Sequence, residues 1–210
     1  MTNHIILLGD SIFDNAPYVV DNPCVTEQLR EIVPDSTAVS MLAVDGDYVR
    51  DVKSQVRRVP EMATHLFVSV GGNDALSHYR TLINDYQSSE DLFEKWADIQ
   101  EEFRAEYQDM LGHVTVLEKP TAICTIYDAV PGLEKIAVTA LSLFNDVIVT
   151  EATVAGLPVV DLRHICTEPE DYSHLSPIEP SFKGGAKIAR ALHRVFDQHD
   201  FSRSATMIYT

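Results

Sequence analysis

Five short apolar runs set the limits on what this chain can fold into. They are His4 to Leu8, Thr37 to Val44, His65 to Val70, Thr121 to Tyr127 and Pro158 to Leu162, each ending in small or polar residues. Runs this short and this continuously apolar fit strands covered on both faces, as in a parallel sheet. The stretches between them carry a helical period. Val25 to Ile32 repeats Val25, Leu29 and Ile32 and stops before Pro34, and Tyr48 to Val59 repeats Val49, Val52, Val56 and Val59. A helix is expected to start near Asn73 as N-cap. A long acidic helix should run from Glu90 to Leu111 on a stripe of Leu92, Phe93, Trp96, Ile99 and Phe103. Leu133 to Ala155, closed by Gly156, and Ala186 to His199 complete the set. Strand and helix alternate throughout, which predicts an α/β fold: a three-layer α/β/α sandwich on a mainly parallel five-stranded sheet. With 210 residues and no repeat or linker, one domain spanning residues 1–210 is expected, with about 200–210 a frayed tail.

Charge narrows the partners. Sixteen Lys and Arg against 32 Asp and Glu leave a formal charge of -16, a field that repels polyphosphate and anionic membrane surfaces. Nucleic acid and membrane partners are therefore not expected, whereas a small-molecule substrate and a homo-oligomer remain compatible. Cys24, Cys124 and Cys166 are odd in number and widely spaced, so they read as buried free thiols. No HxH or HExxH spacing occurs among the eight histidines, and no metal or cofactor is expected. One short apolar run precedes Gly9, without a basic leader, and no run reaches the roughly 18 apolar residues of a membrane span. A soluble, cytoplasmic protein is the expectation.

In open parallel sheets ligands bind beyond the carboxyl ends of the strands, so chemistry should gather just after the apolar runs. After the first stand Gly9-Asp10-Ser11, with Asp14 close behind. A serine at a tight strand-to-helix turn is placed to expose a nucleophilic hydroxyl, though Ser or Asp there would equally serve as a helix cap. After the second comes Asp45-Gly46-Asp47, and after the third Gly71-Gly72-Asn73-Asp74. A glycine N–H and an asparagine amide can stabilise an oxyanion, yet each alone is also an ordinary turn residue. No GxGxxG or GxxxxGK[ST] pattern points to a nucleotide. A phosphoryl-accepting aspartate pocket would call for a lysine after the fifth strand, where Leu162-Arg163-His164 stands instead.

Gly9-Asp10-Ser11, Gly46 and Gly72-Asn73-Asp74 resemble, in order and spacing, the first three blocks of the SGNH hydrolases, also called GDSL esterases/lipases. The resemblance extends over nearly the whole chain. It implies a flavodoxin-like fold and hydrolysis of acyl esters, with Ser11 as nucleophile and an oxyanion hole from the Ser11 N–H, the Gly46 N–H and the Asn73 amide.

The fourth block departs from the family pattern of Asp-x-x-His followed by Pro. Aligned on Pro180-Ser181, Glu179 occupies the histidine position and Ser176 the aspartate position. Five residues upstream, Asp171-Tyr172-Ser173-His174 supplies an Asp-x-x-His of its own. Three readings follow. His174 serves as general base, oriented by Asp171 or Glu179; or Glu179 takes the proton itself, which requires burial or neighbouring carboxylates to raise its pKa; or the site is a degenerate ligand-binding or regulatory module. Asp10, Asp14, Asp45, Asp47, Asp74, Asp171 and Glu179 are together expected to crowd the strand ends as an acidic mouth.

Overall fold

The computed structural model describes residues 3–82 and 88–210. Strand β1 (Asn3–Gly9) leads through α1 (Val25–Ile32) to β2 (Thr37–Met41), and α2 (Val52–Val56) leads on to β3 (His65–Ser69). Helices α3 (Gly72–Ser77) and α4 (Ser89–Thr115) precede β4 (Thr121–Cys124), and α5 (Lys135–Val154) precedes β5 (Val159–Val160). The chain closes with α6 (Leu162–Ile165), α7 (Phe182–Gln198) and β6 (Ile208–Tyr209). All strand pairs are parallel, in the order β2-β1-β3-β4-β5-β6. The order in which successive strands are added to the sheet reverses between β1 and β3, which opens a crevice at their carboxyl ends.

The period-two alternation of strand side chains sorts the core into two layers. Ile6 and Leu8 of β1 face α2, α4 and α5, with Val52, Phe103, Tyr107, Phe144 and Ile148. Ile5 and Leu7 face α1 and α7, with Val25, Leu29, Ile188 and Leu192. Because both faces are covered, these four β1 residues are fully buried, which explains their unbroken apolar run.

The sheet has six strands where the sequence predicts five. The extra strand lies in the segment expected to fray: the Val159 N–H donates to the Met207 carbonyl, the Asp161 N–H donates to Tyr209, and the Tyr209 ring is buried. Two residues of strand are too short to leave a periodic signal. Predicted Tyr48 to Val59 shortens to a 3-10 turn, Val49–Asp51, and α2, and the residue capping α3 is Gly71, not Asn73. Phe93, expected in the α4 stripe, is exposed, whereas Trp96, Ile99 and Phe103 are buried. Helix α7 begins earlier than expected because Ser181 caps it, its hydroxyl accepting from the Lys183 and Gly184 N–H groups. By length and composition alone α5 is apolar enough to cross a membrane; in this fold it packs on the sheet and α4 as a core helix.

Candidate active site

Strand β1 ends at Gly9 because nothing larger fits. An added Cβ would stand 1.8 Å from the Ser69 carbonyl oxygen, and the backbone has φ +128°. The chain then turns tightly, with the Phe13 and Asp14 N–H groups both donating to the Asp10 carbonyl at 3.2 Å. The Ile12 N–H donates to Asp10 Oδ1 at 3.1 Å. Ser11 sits at the apex of this turn, and its N–H bonds no protein group among the described residues.

Two further N–H sources come from neighbouring strand ends. Gly46 lies in the loop after β2 with φ +85°, and its N–H is likewise unpaired among the described residues. Asn73 opens α3, and its amide Nδ2 donates to the Asp47 carbonyl at 3.0 Å. That bond fixes the amide and leaves its second hydrogen available to a ligand. Gln55 ties these parts together: it accepts from the Gly9 N–H at 2.8 Å and donates to the Gly9 carbonyl and to Asp47 Oδ2, both at 2.7 Å.

Glu179 arrives from the loop before α7. The segment is folded back on itself, the Ser173 N–H donating to the Glu179 carbonyl at 2.8 Å beside a Tyr172 to Pro180 bridge. Tyr127 Oη donates to the Ile178 carbonyl at 2.7 Å, and Asn15 Nδ2 donates to the Pro180 carbonyl at 3.0 Å. Glu179 is thus pinned on both sides and buried, lining one pocket with Asp10, Ser11 and Asn73. Gly46 lies outside that pocket's wall, next to the Asp47 carbonyl that Asn73 holds.

The other base candidate is elsewhere. His174 stands exposed on the outer bend of the folded loop and does not line the pocket. Asp171 is fully buried but faces α7, where its Oδ2 accepts from Lys187 Nζ and from the Glu168 N–H. Gly184 packs so tightly on it that an added Cβ would meet the Asp171 carbonyl oxygen at 2.0 Å. The Asp-x-x-His of the sequence is therefore split: its aspartate anchors the loop and its histidine meets solvent. The expected acidic mouth is only partly assembled. Asp14 and Asp45 meet at its rim, the Asp45 N–H donating to Asp14 Oδ2, and Tyr18 Oη donates to Asp45 Oδ2. Asp74 turns away to accept from the Val49 N–H at 3.1 Å.

Burial governs the protons here. It lifts Glu179 to about 7, the Ser11 hydroxyl beside it pulls the other way, and Asp45 adds to the rise. Oε2 of Glu179 is buried without a hydrogen-bond partner. Asp10 is raised to about 8, by burial first, against the bond from Ile12, with Glu179 and Asp74 reinforcing it. Asp74 rises to about 6, again chiefly through burial. Asn15, Gln55 and Tyr127 were not singled out from the sequence. Gln55 reads as a polar helix position, Tyr127 as strand core, and only the nearness of Asn15 to Ser11 hints at a role.

A serine-bearing turn, two N–H groups unpaired among the described residues and an oriented amide thus stand near the switch point of a parallel sheet. Over residues 5–202 the sequence matches the family described as GDSL-like Lipase/Acylhydrolase, and the chain belongs to that family. Acyl-ester hydrolysis is the chemistry this supports. A comparison with curated protein sequences finds no match. Among solved structures, a lipase, Lip_vut3, from a goat rumen metagenome is similar at TM-score 0.70 and 16% identity, over 91% of this chain and 96% of that one. An α/β hydrolase, LAE5, from the metagenome of Lake Arreo, Spain, is similar at 0.70 and 16%, over 94% and 96%. An acetyl xylan esterase from Geobacillus stearothermophilus is similar at 0.66 and 16%, over 91% and 93%. At such identities the likeness is one of fold.

Proposed function

We propose that this protein is a serine ester hydrolase in which Glu179, in place of a histidine, is the general base for Ser11. The observation that carries the reading is the buried Glu179 carboxyl beside the Ser11 hydroxyl, at a pKa of about 7. An ordinary carboxylate is too weak a base to deprotonate a serine efficiently; one raised to near neutrality is matched to the task. Ser11 Oγ attacks the ester carbonyl carbon as Glu179 takes the hydroxyl proton. The Ser11 and Gly46 N–H groups and the Asn73 amide hold the oxyanion. Collapse of the intermediate expels the alkoxide, which leaves as the alcohol with the proton from Glu179. Water then attacks the acyl-enzyme, Glu179 again accepting a proton, and the carboxylic acid departs as Ser11 regains its hydrogen. No cofactor takes part in these steps.

Three variants on one activated ester test the reading. Ser11→Ala should abolish turnover, and Glu179→Gln should lower kcat by about 10² to 10⁴. His174→Ala should stay within about twofold of wild type, since its side chain lies outside the pocket. A loss in His174→Ala matching that in Ser11→Ala would refute the assignment of the base. Absence of any serine-dependent turnover in the wild-type protein would favour the ligand-binding alternative.

A further inference from the structure

The pocket that holds Ser11 and Glu179 at one end is apolar over the rest of its wall. Trp96 of α4 lines it, as do Ala137, Ala140 and Phe144 of α5. The three α5 residues are spaced i, i+3 and i+7, so they share one helix face. The two alanines leave a recess that Phe144 bounds, its ring set edge-on to Trp96 with centroids 6.5 Å apart. The cavity measures about 100 Å³. An apolar cavity of about 150 Å³ is known to take a six-carbon ring, so this one matches a chain of about four to six carbons. Among the described residues no charged group other than Asp10 and Glu179 lines it, and burial keeps Asp10 protonated at neutral pH.

We propose that the substrate is an ester of an apolar acyl group of about four to six carbons, whose chain lies along the Ala137, Ala140 and Phe144 face of α5, and that Ala140 sets its length. This rests on the reading of Ser11 as nucleophile, since the acyl carbon must reach that residue. An acetyl group leaves the recess unfilled. Each added methylene that becomes buried raises kcat/KM by up to about fourfold until the recess is full. A sugar or other polar acyl substituent would find few partners on this wall.

The test has two arms on the full chain. In the first, kcat/KM is measured on p-nitrophenyl acetate, butyrate, hexanoate and decanoate. The wild type should peak at butyrate or hexanoate, and Ala140→Leu should cut the hexanoate-to-acetate ratio at least tenfold, with Ala137→Leu acting in the same direction. A wild-type preference for acetate, or an unchanged ratio in both variants, would overturn the proposal. In the second arm turnover is not needed: saturation-transfer NMR follows hexanamide, with acetamide as control, on Ser11→Ala. Hexanamide should bind, acetamide should not, and Ala140→Leu added to Ser11→Ala should weaken hexanamide. Failure of hexanamide to bind would remove the acyl pocket while leaving catalysis intact. Selective binding with no turnover of any ester would instead remove the catalytic reading and leave the pocket standing.

Discussion

Glu179 shows how burial brings a carboxyl into the titration range of another residue type. Its side chain is drawn into the pocket by the bonds on Ile178 and Pro180, and desolvation moves its pKa to about 7, into the range of an imidazole. Because a general base must be unprotonated to act, kcat/KM should fall as pH drops through about 7, by about tenfold per unit below it. Stopped-flow or steady-state pH profiles on a neutral ester check this, and the limb should vanish in the residual activity of Glu179→Gln. A limb that persists unshifted in that variant would assign the titration to another group. At this scale the sequence was legible for the placement of Ser11, Gly46 and Asn73, which stand just after strands. It left His174 and Glu179 undecided, because a loop between prolines does not reveal from its residues which side chain turns inward.

At the scale of elements, the loop before α7 is the part on which the site depends. Its fold is fixed by Asp171, which Lys187 and the Glu168 N–H hold from α7 and the preceding turn, and by Tyr127 and Asn15 on the pocket side. Tyr127→Phe removes the donor to Ile178 without changing the ring's packing. It should lower kcat several-fold with KM little changed and cost about 1 kcal/mol in urea unfolding. Gly184→Ala places a methyl 2.0 Å from the Asp171 carbonyl oxygen, and backbone gives way far less than a flexible side chain. A loss of about 1–3 kcal/mol in the same assay is expected, and an unaltered midpoint would show that the contact relaxes freely. Helix α1 was readable to the residue because Pro34 and its apolar spacing coincide, and α4 nearly so. Helix α2 and strand β6 were not, since five and two residues carry too little period against the surrounding chain.

For the whole molecule, buried acid at the strand ends ties stability to pH. Asp10 has a folded pKa of about 8 against 3.8 for an ordinary aspartate, so between those values the folded state keeps a proton that the unfolded state has lost. Stability then declines as pH rises through that window, by up to about 1.4 kcal/mol per unit from this group. Chemical denaturation at pH 5, 6, 7 and 8 should show a falling free energy of unfolding, with a smaller slope in Asp10→Asn; a rise over that range would contradict the burial of an uncharged Asp10. The alternation of apolar runs and helical stretches by itself determined the parallel sandwich, because covering a sheet on both faces leaves a mark at every strand. The order of small and polar residues after those runs likewise marked Ser11, Gly46 and Asn73 as the residues that stand at the strand ends. Only the tertiary structure brought Glu179, and not Asp171 or His174, into the pocket lined by Ser11, added the sixth strand, and left an apolar recess along α5. Those features depend on contacts between residues far apart in the chain, where spacing along the sequence carries no information about distance in space.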